Sequence, residues 1–325
     1  MLDQSNVIID VHVHTQDPEV IKEDIRSGLL STPKKLPTKY FYDDWGSTLF
    51  EQICELPEYY QTRTEHELLK TVADDVVTKT GAEELVELGS GAATKTRVLL
   101  DAMARAKQLR FYVPFDVSEG IVRRVSQELV EEYEGLQIHG VVGDFLAHLE
   151  HIPEGGRRLV VILGGTVGNL GPEAEPVFLS SIHDEMDQGD FFLLGVQLIT
   201  DIHRLEAAYN DSAGITAAFN KNMLCVLKSV IGADFDPDTF QHVARFNQEM
   251  NRIEMHLQSV RDQVITIPAL NMSLRLQKEE EILTEISTKY TQHQVEALLT
   301  RTGFRPVQWY TDAQQLHGLA LAQKC

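Results

Sequence analysis

The stretch that most limits the fold is Glu84-Leu85-Val86-Glu87-Leu88-Gly89-Ser90-Gly91, continued by Ala92-Ala93-Thr94-Lys95-Thr96-Arg97-Val98-Leu99-Leu100. Leu85, Val86 and Leu88 make an apolar run of strand length. Gly89 and Gly91 follow at once, and glycine lets the chain turn sharply and brings a ligand against bare main chain. From Thr94 the apolar residues fall at Val98, Leu99 and Ala102, a helical spacing. Strand, glycine turn and helix in that order set a ligand over a helix N-terminus. Gly-x-Gly by itself is a weak signal. A dinucleotide site wants a third glycine three residues after the second, and Thr94 stands there instead.

The regions after the turn decide what surrounds it. Leu109 to Phe115 reads as a strand ending at Asp116, Val117 to Glu132 as a helix, and Leu136 to Val142 as a strand before Gly143-Asp144-Phe145. Arg158 to Leu163 is a strand before the loop Gly164 to Leu170. Pro172 opens a helix that reaches Met186, and Asp190 to Leu198 is a further strand. Strands alternating with helices at this spacing predict a mostly parallel sheet covered on both faces. The pattern then changes. Arg204 to Asn210 and Gly214 to Leu227 are helical, Arg252 to Ser259 and Gln263 to Ile267 alternate as antiparallel strands, and Leu270 to Leu276 is a candidate third. Thr291 to Thr302 is helical again, with Phe304 to Thr311 and Leu316 to Gln323 as closing strands.

Before the turn, Asp17-Pro18 reads as a helix start, with Ile21, Ile25 and Leu29 inward. Two aromatic loops, Thr32 to Ser47 and Leu56 to Glu65, flank a short helix around Leu49, Phe50 and Ile53. They suggest a lid. Thr64 and Glu67 match a capping box ahead of Leu68, Leu69, Val72 and Val76. Val7 to His14 alternates like a strand. Its Asp10-x-His12-x-His14 resembles the first metal motif of amidohydrolase barrels, but the ordinary reading is an edge strand or arm with two histidines on one face. We expect no metal site.

Net charge is −20. So acidic a chain repels phosphate backbones and anionic membranes, which argues against nucleic acid or a membrane as partner. The cysteines, Cys54, Cys225 and Cys325, are three, widely spaced and without a Cys-x-x-Cys pair. They support neither a disulfide framework nor zinc, so a cytoplasmic setting is expected. No run approaches the roughly 20 apolar residues that span a bilayer.

Ligands of doubly wound sheets sit at the C-terminal ends of the strands. Asp116 ends one strand where a carboxylate can accept both ribose hydroxyls. Asp144 ends the next, where it can take the exocyclic amine of adenine while Phe145 covers the ring. The Gly164 to Asn169 loop ends the third. With acidic Glu87 ahead of Gly89-Ser90-Gly91, this points to S-adenosylmethionine as cofactor. An NAD enzyme would share Asp116 but has no need of Gly-Asp-Phe. The expected fold is therefore α/β, a class I (Rossmann-like) methyltransferase fold with an inserted α+β substrate-binding domain. The methyltransferase domain is assigned to 63–199 and 289–325, the substrate-binding domain to 16–62 and 200–288, and 1–15 to an N-terminal arm of unknown role.

The chain closely resembles the L-histidine Nα-methyltransferases of ergothioneine biosynthesis. The resemblance lies in Phe41-Tyr42-Asp43, Leu56 to Tyr60, Thr62 to Glu65, Val86 to Gly91, Pro114 to Val117, Gly143 to Phe145, Gly168 to Leu170, Ala217 to Asn220, Ala233 to Phe235, Arg252 to Met255 and Leu283 to Ser287. It covers nearly everything from about residue 20. It implies transfer of three methyl groups from S-adenosylmethionine to the α-amine of L-histidine, giving hercynine, by a monomer. It also implies roles. Asn169 and Tyr209 hold the substrate carboxylate, and Tyr42, with Gly164 and Thr166, orients the amine, so that Tyr42 and Asn169 are the catalytic pair. Glu285 and Ser287 grip the imidazole, and Phe50, Tyr59 and Met255 wall it. Glu87, Gly89, Ser90, Gly91, Lys95, Asp116, Asp144 and Phe145 hold the cofactor. The alternative is an N-methyltransferase of another aromatic amino acid or an indole derivative, to which an apolar residue in place of Glu285 would be better suited.

Overall fold

The structure is a computed structural model that describes residues 6–12 and 18–325. In chain order come β1 (Val7–Val11), α1 (Pro18–Leu30), α2 (Asp44–Glu55), α3 (Gln61–Thr80), β2 (Glu84–Leu88), α4 (Thr96–Arg105), β3 (Phe111–Asp116), α5 (Glu119–Glu132) and β4 (Gln137–Val142). Next are β5 (Arg158–Ile162), α6 (Ala174–Glu185), β6 (Phe191–Gln197), α7 (Ile202–Ala208), α8 (Ile215–Ile231), β7 (Phe240–Asn247) and β8 (Arg252–Ser259). The chain closes with β9 (Gln263–Ile267), β10 (Met272–Leu276), β11 (Glu281–Thr288), α9 (Gln292–Arg301), β12 (Phe304–Thr311) and β13 (His317–Lys324).

The chain divides into two compact units. One holds β1, Arg63–Ile199 and Tyr290–Cys325. Its sheet has the order β1-β4-β3-β2-β5-β6-β13-β12. The strands from β1 to β6 pair in parallel, and β13 and β12 return antiparallel. The central strands β2, β5 and β6 are buried along their whole length, as a sheet covered on both faces requires. The strand period of two sends Leu85 into one core, with Leu99, Met103 and Tyr112, and Val86 and Leu88 into the other, with Phe178 and Leu179. Strand order reverses on either side of β2, with β3 on one flank and β5 on the other. The glycine turn leaving β2 therefore stands at a topological switch point, where such sheets take ligands.

The other unit holds Gln16–Thr62 and Thr200–Lys289. A three-stranded antiparallel sheet, β11-β8-β7, and a β9–β10 pair pack with α1, α2 and α8 around Ile25, Leu29, Phe41, Phe219, Leu227 and Phe240. Asp211 starts α8 by accepting from the backbone N–H of Ile215 at 2.9 Å and of Thr216 at 2.7 Å. Gly232, with φ +66°, ends it.

Several expectations change. Helix α3 begins at Gln61, so Thr64 lies inside the helix and caps nothing. Gln61, Thr62 and Arg63 simply continue the helix backward. The capping box forms instead at Thr291 and Gln294, ahead of α9. Strands β7 and β11 were not expected, because neither carries a clean alternation; β11 contains a bulge between Leu283 and Glu285. Pro268–Leu270 folds as a short 3-10 turn, which delays β10 to Met272. Lys289 groups with the second unit rather than the first.

Strand β1 is an edge strand, parallel to β4. Asp10 meets His139 at 2.7 Å, and His12 stacks on His151 with centroids 3.5 Å apart. His14 and Asp17 lie outside the described residues, and among those described no cluster could hold a metal ion. Among them, too, no helix is long and apolar enough to cross a membrane.

Thr291 Oγ1 accepts from the Gln294 backbone N–H while Gln294 Oε1 accepts from the Thr291 backbone N–H, so Thr291→Ala removes the hydroxyl end of the box and leaves the backbone end. Urea unfolding should show a loss of about 1 kcal/mol.

Candidate active site

The first unit assembles a nucleotide-type site from the ends of β2, β3, β4 and β5. Gly89 (φ +80°) and Gly91 (φ +47°) adopt left-handed backbone that residues with a Cβ rarely take. The turn is tied to the neighbouring strand: the Gly89 and Ser90 N–H groups both donate to the carbonyl of Phe115, at 2.8 and 3.2 Å. Asp116 accepts from the Gly91 N–H at 2.9 Å and from the Ser118 N–H at 3.0 Å. Burial raises its carboxyl above the usual range, against the pull of those N–H groups. Among the described residues the buried Ser90 Oγ has no hydrogen-bond partner, so a polar atom of this turn is left for something else to satisfy.

Phe145 lies beside the same turn. Its ring edge is 3.7 Å from where a Cβ on Gly89 would stand, and it packs on Phe178 with centroids 5.4 Å apart. Asp144 caps its own loop by accepting from the Leu146 N–H at 2.9 Å. Glu87 sits behind the turn. It accepts from the Tyr112 hydroxyl at 2.6 Å and from Thr96, the first residue of α4. Burial pushes its carboxyl up to about 7, against those two donors. Glu87 thus fastens the turn to α4 and β3, with both oxygens engaged by the protein.

One group in this unit was missed by the sequence reading. Glu65, on α3, is fully buried and ion-pairs with Lys95. It also accepts from the Gly164 N–H at 2.8 Å and contacts His317 Nε2 at 3.0 Å. Burial would raise this carboxyl, but Lys95 and His317 outweigh it and hold it well below the usual range. The Glu65 carboxylate therefore fixes Lys95, just before α4, and Gly164, at the start of the loop after β5. Gly164 and Gly165 carry φ of +80° and +71°, and Thr166 Oγ1 donates back to the Leu163 carbonyl at 3.0 Å. Asn169 closes the same short turn, half-buried, with no hydrogen bond from its amide among the described residues.

The second unit holds the remaining expected residues. Tyr42 follows a short 3-10 turn, and Asp43 caps α2 while accepting from Asn222 of α8 at 2.7 Å. Tyr42, Phe50 and Phe219 meet ring to ring at 5.7 to 6.0 Å, and Phe50 continues to Tyr59 and Tyr59 to Tyr209, each at 6.2 Å. Phe219 is an aromatic of this set that the sequence reading did not single out.

The bulge in β11 leaves Thr284 as the extra residue, donating to the Met255 carbonyl at 3.0 Å, so Glu285 pairs opposite Met255 and Ser287 opposite Ile253. Bulges re-aim side chains in this way. Beyond them Lys289, also missed, is completely buried. Its Nζ donates to Ser287 Oγ at 2.6 Å and to the Tyr209 hydroxyl at 3.0 Å, and the Tyr209 hydroxyl donates to Ser287 Oγ at 2.8 Å. Burial raises Glu285 to about 7, with Lys289 pulling it down, and burial lowers Lys289 to about 7, with Glu285 pulling it up. The signal that could have exposed Lys289 is its spacing, two residues past Ser287 and four past Glu285.

A parallel sheet with a glycine turn at its switch point, a carboxylate at the end of the next strand and an aromatic at the end of the one after defines a nucleotide-cofactor enzyme of the S-adenosylmethionine-dependent methyltransferase class. Residues 21–324 match the model of a family described as histidine-specific, S-adenosylmethionine-dependent methyltransferases. The chain belongs to that family. It is 47% identical over 304 residues to a histidine N-alpha-methyltransferase of Mycolicibacterium smegmatis, covering 94% of this chain and 95% of the relative. The same-named protein of Mycobacterium tuberculosis is 46% identical over the same shares. A protein of Neurospora crassa named ergothioneine biosynthesis protein 1 is 28% identical, matching all of this chain and 36% of its own length.

Asp116→Ala removes the acceptor at the end of β3 and frees the Gly91 N–H. Binding of S-adenosylhomocysteine, measured by calorimetry, should weaken by about 1.5–3 kcal/mol in a protein that remains folded. Unchanged affinity would remove Asp116 from the site.

Proposed function

We propose that this chain catalyses the S-adenosylmethionine-dependent trimethylation of the α-amino group of L-histidine to hercynine, the first step of ergothioneine biosynthesis. The observation that carries the reading is the bulged strand β11, which presents the carboxylate of Glu285 and the hydroxyl of Ser287 next to buried Met255. A carboxylate accepts from an imidazole N–H, and a hydroxyl adapts to the other ring nitrogen. The 47% identity to a protein named for histidine Nα-methylation supports the same substrate.

The cofactor would be held by Gly89, Ser90, Gly91, Lys95, Asp116, Asp144 and Phe145, with Glu87 bracing the turn. When bound, it supplies a methyl group on a positively charged sulfur. The unpartnered Ser90 Oγ and the two left-handed glycines fit such an occupant. Asn169 and Tyr209 take the substrate carboxylate, since an amide and a phenol donate without adding charge. Tyr42, with Gly164 and Thr166, orients the amine. Phe50, Tyr59 and Met255 wall the imidazole.

The work asked of these side chains is mainly alignment, which can supply much of a methyl transfer's acceleration. Neighbouring aromatic faces also suit a product that becomes a quaternary ammonium. The unit Gln16–Thr62 with Thr200–Lys289 is accordingly read as the substrate-binding domain. The protein is read as a cytoplasmic monomer acting on the free amino acid, in keeping with its net charge of −20 and three free cysteines.

Mass spectrometry after incubation with S-adenosylmethionine and each amino acid in turn tests the assignment. A gain of three methyl groups on histidine alone is expected. Preferential methylation of tryptophan, phenylalanine or an indole derivative would overturn it. In the same assay Glu285→Ala should cost histidine about 1–3 kcal/mol in kcat/KM and tryptophan less. An equal loss on both would mean that Glu285 does not read the imidazole.

A further inference from the structure

The buried lysine of the second unit has no part in the reading above. Lys289 is 0% exposed, and two hydroxyls assigned to the substrate, Tyr209 and Ser287, both accept from its Nζ, at 3.0 and 2.6 Å. The ammonium also lies over the Tyr209 ring, 4.8 Å from its centroid. Glu285 is the charged group whose field acts on it. A buried lysine is costly unless its N–H groups and its charge are both answered, and here three of the groups that answer it are residues read as contacting histidine.

We propose that Lys289 is a positioning residue that turns the Tyr209 and Ser287 hydroxyls into hydrogen-bond donors, so that the site takes histidine with a neutral imidazole and an anionic carboxylate. The inference rests on the histidine reading of Glu285, Ser287 and Tyr209. A hydroxyl has one proton to give and two lone pairs to fill. Lys289 fills one lone pair on each oxygen, and in the free protein the Tyr209 proton fills the second on Ser287. Ser287 then has its own proton to offer outward, and the ring atom that can receive it is an unprotonated nitrogen. When the Tyr209 proton turns to a substrate carboxylate, Lys289 still donates to both oxygens, so neither is left unsatisfied.

The charge works in the same direction. The field of the Lys289 ammonium pulls the Glu285 carboxyl down against burial, which favours the carboxylate that accepts the single ring N–H. The same cation opposes an imidazolium. An ammonium has three N–H groups and a neutral amine two, so both hydroxyls are served in either protonation state.

Histidine titrated into enzyme saturated with S-adenosylhomocysteine tests this. Lys289→Met should bind histidine about tenfold more weakly or worse. Lys289→Met/Ser287→Ala should be no more than about threefold weaker than the worse single variant, because the lysine acts through that hydroxyl. Wild-type affinity in Lys289→Met, or fold-losses that multiply in the double variant, would overturn the proposal. Ser287→Ala and Glu285→Gln separate the two claims. If neither weakens histidine binding, the imidazole reading itself fails. If both weaken it and Lys289→Met does not, only the role of Lys289 fails. Should Lys289→Met not fold, nitrogen NMR of ring-labelled histidine bound to the wild-type ternary complex decides: one protonated and one bare ring nitrogen is the expected result, and two protonated nitrogens overturn the proposal.

Discussion

The Glu65 carboxylate is the interaction on which the cofactor half of the molecule depends. It gathers four pieces of chain that are far apart in sequence: α3, the residue before α4, the loop after β5, and β13. Of these, Lys95 stands at the end of the segment that leads from the glycine turn into α4. A fully buried carboxylate is expensive to desolvate, and removing one partner of such a group is far worse than never having built it. Here the cost is met by an ammonium, an imidazole and a backbone N–H at once. Gly195 records how tightly the group is packed, since a Cβ there would come within 2.2 Å of a Glu65 oxygen. The result is a rigid frame in which Lys95 and the Gly164 N–H cannot drift separately.

The second unit uses the same chemistry for a different end. Its polar cluster, Glu285, Ser287, Tyr209 and Lys289, is set in position by a break in strand regularity rather than by a turn. The bulge at Thr284 takes one residue out of the pairing of β11 with β8, and this sets Glu285 opposite Met255. The neighbouring His242 supports Tyr209 from behind: it lies 2.8 Å from the Tyr209 carbonyl and 2.8 Å from the Asn220 amide. Both halves therefore bury a carboxylate and a lysine that act on each other's charge, in direct contact at Glu65 and Lys95 and through the field alone at Glu285 and Lys289.

What could be read from the sequence follows from how local each signal is. The strand, glycine turn and helix at Glu84 to Leu100 lie within a single continuous stretch, so the turn and its left-handed glycines were readable directly. That Asp116 ends β3 and that Asp144 and Phe145 follow the end of β4 was readable because apolar runs of strand length stop just before them. The family motif at Leu283 to Ser287 named Glu285 and Ser287 but not the bulge that positions them. A bulge breaks the alternation by which a strand is recognised. Glu65, although inside the matching Thr62 to Glu65 piece, and Lys289, although in step with Glu285 and Ser287, were passed over for a different reason. Each looks like one more charged residue in a chain with 49 acidic and 29 basic side chains, and only tertiary contacts far along the chain bury them. The capping box misplaced at Thr64 shows the reverse error, a correct local pattern overridden by a helix that starts one turn earlier.

A Glu65 clamp that holds the cofactor site, and does not merely stabilise the sheet, ties cofactor affinity to the charge of this carboxylate. Glu65→Gln keeps the side chain's size and removes its charge. The direct measurement is calorimetric binding of S-adenosylhomocysteine to this variant, at a temperature where its cooperative unfolding shows it to be fully folded. Binding should be weaker by about tenfold or more, because Lys95 and the Gly164 loop lose their common anchor. Wild-type affinity in the folded variant would contradict it.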